Sequence, residues 1–168
     1  MCYNRKRERA RAVRKRGRMK AKYGARDIAN YFLWKAGQQG EFISNLKLQK
    51  LIYYAQGLSL VINDKPLFED EIRAWSYGPV VPDLWAEYKQ YGSNGIPPKS
   101  NFNCDTIDEE AREFLDEINE IFGQFSALRL MQISHSDQCW IDAHPNKVIT
   151  HKAMRSTMAK YLKNGKES

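Results

Sequence analysis

The stretch KLQKLIYYAQGLSLVINDKPLFEDEIRAWSYGPVVP, Lys47 to Pro82, passes from a helical period to strand-like alternation and then to a turn punctuated by glycine and proline. Leu48, Leu51, Ile52, Ala55, Leu58 and Ile62 recur at three-and-four spacing, which predicts an amphipathic helix with one stripe against a core. Lys47, Lys50, Tyr54 and Gly57 fall on a second stripe. Asn63-Asp64-Lys65-Pro66 has turn composition, and Glu71 to Tyr77 alternates charged or small residues with large apolar ones, as a half-buried strand does. Leu67-Phe68 is the expected hairpin partner of that strand. Gly78-Pro79 then predicts a turn, because glycine tolerates positive φ and proline fixes φ and donates no backbone hydrogen bond. Pro82 suits the first turn of a following helix.

Working outward, Ile28, Ala29, Phe32, Leu33 and Ala36 predict a first helix ended by Gly37, and Ser44-Asn45 supplies capping oxygens for the second. Leu84, Trp85, Tyr88 and Tyr91 predict a third helix, closed by Gly92. Ser93 to Cys104, with Gly95, Pro97, Pro98 and three asparagines, reads as an exposed loop. Thr106-Ile107-Asp108-Glu109 fits a capping box ahead of the stripe Ile107, Ala111, Phe114, Leu115, Ile118, Ile121, Phe122 and Phe125. A further helix is expected from Ser126 through Leu128, Leu130, Met131 and Ile133, and a last one after Thr150 with Met154, Met158 and Leu162 on one face. The class is mainly α (α+β): a single compact helical domain of about six helices with one short β-hairpin.

The 168 residues fit one domain of ordinary size. The formal net charge of +7 is unevenly spread. Met1 to Lys22 holds 11 Lys/Arg against one Glu, so the remainder, with 16 basic and 19 acidic residues, is near −3. Residues 1–22 are therefore read as a basic leader too poor in apolar groups to offset the entropy of ordering, and residues 23–165 as the folded domain. Met19 is an alternative start. The three cysteines, Cys2, Cys104 and Cys139, are odd in number and form no C-x-x-C, which argues against a disulfide framework or zinc ribbon and for a reducing cytoplasm. No apolar run reaches the length of a membrane span, and no hydrophobic segment follows the basic leader as a signal peptide requires. No membrane partner is expected.

Several ordered motifs resemble the Panacea domain, the SocA-type antitoxin family of bacterial toxin-antitoxin systems and of phage- and prophage-associated proteins. They are Lys47 to Gly57, Pro66-Leu67-Phe68, Ala74-Trp75, Tyr77-Gly78-Pro79-Val80-Val81-Pro82, and His135 with Trp140. The resemblance runs roughly from Ala25 to Leu162, and motifs in fixed order are more specific than any single one. Four departures stand out: Ser76 where a basic residue is usual, Leu58 where an aromatic is common, Cys139 where proline usually precedes the tryptophan, and Met1 to Lys22, which lies outside the pattern. The resemblance implies an antitoxin that neutralises a cognate protein toxin by direct binding, and in some relatives an adaptor that delivers the toxin to a cellular protease.

No nucleophile and base are joined by a recognisable motif: G-x-S-x-G, H-E-x-x-H and the phosphate-binding G-x-x-x-x-G-K-[ST] are all missing. Asp108, Glu109, Glu110, Glu113, Asp116, Glu117 and Glu120 lie opposite or beside the apolar stripe of their helix and read as a solvated face. The protein is not expected to be an enzyme. His135, Cys139, His144 and His151 carry zinc-ligand chemistry but match no familiar spacing, so no metal or cofactor is expected. His135 is assigned a structural or capping role and Trp140 a core anchor. The Lys47, Lys50, Tyr54 stripe has two readings, a solvent face or a cationic and aromatic contact surface. The family resemblance favours the second, with Trp75, Tyr77, Gly78, Pro79 and Val80 completing the surface. In the leader, Arg5, Arg7, Arg9, Arg11, Arg14, Arg16 and Arg18 are candidate phosphate contacts, the basis of an alternative reading as a nucleic-acid-associated regulator.

Overall fold

The helix read from the opening stretch, α2 (Asn45–Ile62), lies at the centre of the molecule, and a computed structural model describes residues 20–164 around it. Ser44 caps it, its hydroxyl accepting from the Lys47 amide at 3.3 Å. Around it stand α1 (Ala25–Gln38), α4 (Glu109–Phe122), α5 (Ala127–His135) and α7 (His151–Asn164). The outer elements are β1 (Ile43–Ser44), β2 (Arg73–Trp75), β3 (Gly78–Val80), α3 (Pro82–Tyr88), β4 (Gly95–Ile96) and α6 (Gln138–Ala143). The mainly helical class expected from the sequence is observed, with seven α-helices among the described residues rather than about six; the short α6 is the addition.

Every residue of α2 from Leu48 to Leu60 is buried. The expected second stripe therefore does not face solvent: with helices packed on several sides and β3 on another, α2 has no free face. Close approach is allowed by Gly57, where an added Cβ would sit 2.6 Å from Met158 Cγ of α7. Its polar residues are satisfied locally. The Gln49 side-chain oxygen accepts from the Val81 amide at 2.9 Å, and Gln56 accepts from the Leu67 and Phe68 amides while donating to the Phe68 carbonyl.

That use of Gln56 overturns the expected pairing of Leu67-Phe68 with the strand. β2 instead pairs antiparallel with β3, in the register Arg73↔Val80, Ala74↔Pro79 and Trp75↔Gly78. The turn is Ser76-Tyr77, and Gly78-Pro79 lie inside the second strand rather than forming the turn. Proline is tolerated there because its partner Ala74 turns its own backbone groups the other way, donating to the Lys147 carbonyl at 3.0 Å and accepting from the Asn146 amide at 2.7 Å.

Three smaller differences are equally local. Within the expected loop, Ile96 is buried and pairs with Ile43, so β1 and β4 form a second two-stranded sheet. Helix α4 is capped by Asp108, two residues later than Thr106; the Asp108 side chain accepts from the Ala111 amide at 2.9 Å. Asp108 also accepts from Lys22 Nζ and the Tyr23 hydroxyl, each at 2.6 Å, and these partners hold its carboxyl well below the usual carboxylate range. Ile121, placed on the apolar stripe of α4, is exposed. Among the described residues, no helix is long and apolar enough to cross a membrane.

Candidate partner-binding surface

The β2–β3 hairpin is held from beneath and at its turn. Beneath it, Lys50 is fully buried and donates from Nζ to the Pro79 carbonyl at 3.2 Å. Gly78, at φ +101°, is pressed onto Lys50 and Ser134; a Cβ there would lie 2.5 Å from Lys50 Cε and 2.7 Å from Ser134 Oγ. At the turn, His135 at the end of α5 donates from Nε2 to the Ser76 carbonyl at 2.9 Å. Stacked beside His135, Trp140 of α6 donates from Nε1 to the Trp75 carbonyl, and Trp75 donates from its own Nε1 to Asn146, both at 2.9 Å. The Trp140 ring lies 4.3 Å from that of His135 and 4.6 Å from that of His144, while Trp75 meets Trp85 edge-on. His135 thus braces the turn, and Trp140, half-buried, ties α6 to it.

What this frame exposes is the turn residue Tyr77, 63% accessible, at the tip of the hairpin. Beside it, Leu128, Met131 and His135 share one face of α5 at three-and-four spacing, with Leu128 also 63% accessible. The sequence reading expected a helix through Leu128, Leu130, Met131 and Ile133 without separating the faces of these four. Of the four, only Leu130 is buried; Leu128 is exposed, and Met131 and Ile133, like His135, are half-buried. Tyr77 follows the Ser76 whose carbonyl His135 holds, and Leu128 lies about two turns back from His135 along α5, so an exposed aromatic and an exposed aliphatic residue are offered on rigid supports.

Of the residues expected at a contact surface, Tyr77 is exposed and Trp75 half-buried, while Lys50, Tyr54, Gly78, Pro79 and Val80 are buried. These last support the hairpin rather than present themselves. Lys47 is half-buried and donates to the Gly123 carbonyl at the end of α4 at 2.6 Å, a favourable place for a cation. Arg5, Arg7, Arg9, Arg11, Arg14, Arg16 and Arg18 lie outside the described residues. The donors weighed for a metal go to separate duties: Cys139 Sγ lies 3.1 Å from the Tyr53 hydroxyl, His151 Nε2 lies 3.3 Å from Gln56, and His135 is bonded to the Ser76 carbonyl.

Behind the surface sits a polar knot. Asp137, just before α6, is buried and accepts from three tyrosine hydroxyls: Tyr53 at 2.9 Å, Tyr54 at 3.0 Å and Tyr161 at 2.7 Å. Burial pushes the Asp137 carboxyl above its ordinary range despite these donors, and pushes the Tyr53 and Tyr54 hydroxyls up as well. The knot joins α2, α6 and α7 and fixes where α6 meets the hairpin.

Comparison with known proteins bears on residues that build this frame. The model of the family described as "Antitoxin SocA-like, Panacea domain" matches residues 48–141, more than half the chain, covering α2 from Leu48, both hairpin strands, α5 and the start of α6. Among curated proteins, the chain is similar to Antitoxin SocA of Caulobacter vibrioides (strain NA1000 / CB15N), at 33% identity over 127 residues. That alignment covers 67% of this chain and 65% of the relative, so the chain spans just under two thirds of that protein's length. No solved structure matches. By the span of the family match and the placement of its residues in one supported hairpin, the chain belongs to the SocA-like Panacea domain family.

Proposed function

We propose that this protein is an antitoxin that neutralises a cognate protein toxin by direct binding, with Tyr77, Trp75 and the Leu128–Met131–His135 face of α5 as the contact surface. The observation that carries the proposal is the family match, which falls on the central helix, the hairpin and the helices bracing it. An exposed aromatic and aliphatic pair on a rigid frame has the character of interface anchors, since tyrosine and tryptophan dominate binding energy where they are held in place. Pre-organisation by Lys50, His135 and Trp140 lowers the ordering cost of association. Delivery of the bound toxin to a cellular protease is a further arm of the same proposal.

Co-expression with the growth-arresting product of a neighbouring gene tests it. Growth is expected to recover with either the full chain or the form starting at Met19, and failure of both to restore growth rejects the antitoxin role. If the adaptor arm holds, the steady-state level of the toxin falls on co-expression; an unchanged level with restored growth leaves neutralisation by binding alone.

A further inference from the structure

Lys50 is the one charged residue between Leu48 and Asn63, and it has no accessible surface. A lysine buried without a carboxylate is costly, because the ammonium forfeits its hydration and has three protons to place. Here its single hydrogen bond is to the Pro79 carbonyl, with Gly78 packed against its Cε. The groups facing it are uncharged: Gly78 and Pro79 from β3 and Ser134 from α5. The charged or titratable side chains of α5, Arg129 and His135, are exposed and bonded to the Ser76 carbonyl respectively, and Asp137 beyond α5 is taken up by the three tyrosines. Ser134 directs its hydroxyl proton to the Met131 carbonyl.

We infer that Lys50 is the positioning residue of the docking surface: its buried amine seats the β2–β3 hairpin through the Pro79 carbonyl, and protonation of that amine loosens the seat. The neutral amine keeps the hydrogen bond to Pro79 and loses little by being dry. The ammonium regains its hydration only if the hairpin lifts and admits water. Since Gly78, the residue after the exposed Tyr77, rests directly on the lysine stem, lifting displaces the tip that presents Tyr77. The consequence for partner binding rests on the docking role proposed for that tip; the seating itself does not.

The direction with pH follows from where the lysine titrates. Burial lowers its pKa from 10.5 to about 7 in the seated state, and in a lifted, hydrated state it returns toward its ordinary value. Between those two values lifting takes up a proton, so the lifted population falls roughly tenfold for each pH unit above about 7, while below that it is level because both states are charged.

Hydrogen exchange of the hairpin amides in the full chain, followed from pH 6 to pH 9 and corrected for intrinsic exchange chemistry, reads this population without any partner. In the natural chain the corrected opening is expected to be level up to about pH 7 and then to fall roughly tenfold per unit. In Lys50→Met, and in Lys50→Gln, which retains a neutral donor for Pro79, it is expected to be level throughout. A natural chain whose hairpin opening does not change with pH overturns the inference, whether or not the variants fold. So does a Lys50→Met or Lys50→Gln chain that keeps the natural slope. The docking role fails separately, if Tyr77→Ser combined with Leu128→Ser leaves toxin binding undiminished while the pH profile stands as expected.

Discussion

Replacing Asp137 with alanine is expected to cost about 3 to 5 kcal/mol of folding stability, since it removes the acceptor shared by three tyrosine hydroxyls in the interior. Tyr53 and Tyr54 are almost completely buried, so neither can turn to water; the Cys139 sulfur at the Tyr53 hydroxyl and the Tyr161 hydroxyl 3.4 Å from that of Tyr54 are weak substitutes, and each hydroxyl so weakened costs on the order of 1 to 3 kcal/mol. Tyr161 is only partly buried and recovers some of its loss by hydration. Packing adds to the effect: the Tyr54 ring stacks on Phe122 at 4.2 Å and meets Tyr161 edge-on, so a shift of one phenol disturbs contacts among α2, α4 and α7. Asp137→Asn keeps one acceptor oxygen and avoids burying a charge, so it should lose about half as much. Urea unfolding of the three proteins gives the comparison. An Asp137→Ala chain within about 1 kcal/mol of the natural one, a loss the sharing of one acceptor does not allow, would show that the knot is not a stabilising centre.

Gly78→Ala is expected to lose about 3 kcal/mol and to unseat the hairpin. Two penalties act together at this position. Its φ of +101° is unfavourable for any residue with a Cβ, and the added carbon would sit within 2.7 Å of both Lys50 Cε and Ser134 Oγ. The lysine tail is flexible but enclosed, and Ser134 is fixed on α5, so relief requires the strand to move. Gly92→Ala separates the two penalties. Gly92 also has positive φ, +56°, but nothing lies within 4 Å of its added Cβ, so only the backbone cost of about 1 kcal/mol should remain. Thermal unfolding of both variants decides the matter: equal losses would mean that Gly78 is required for its dihedral angle alone and that the Lys50 contact carries no constraint.

The sequence revealed elements more readily than their partners. The helix from Asn45 to Ile62 was evident from its apolar period, and its burial on all sides was already written in the absence of any charge but Lys50 between Leu48 and Asn63. A stripe drawn on a helical wheel hides this, because it divides a helix into two faces whether or not both are covered. The hairpin's strand from Arg73 was legible from alternation, but its register was not. Gly78-Pro79 is turn chemistry taken locally, and its place in a strand depends on Asn146 and Lys147, some seventy positions onward, occupying the backbone of Ala74. The same distance in sequence concealed the Asp137 knot: Tyr53 and Tyr54 are neighbours in a helix, and nothing near them announces a carboxylate 83 or 84 residues away. Tyr77 could be singled out because it lies in a motif; Leu128 could not, because four apolar residues crowd Leu128 to Ile133 and only the packing of α5 shows which of them face out.

Isothermal titration of the purified full chain with the product of a neighbouring gene that arrests growth when expressed alone, run beside a Tyr77→Ser, Leu128→Ser chain shown by its unfolding curve to be folded, puts the central claim to the test. The natural chain is expected to bind, and the doubly substituted chain to bind at least a hundredfold more weakly, as the loss of two exposed anchors worth about 1.5 kcal/mol each requires. Equal binding by the two chains, or no binding by either, would contradict it.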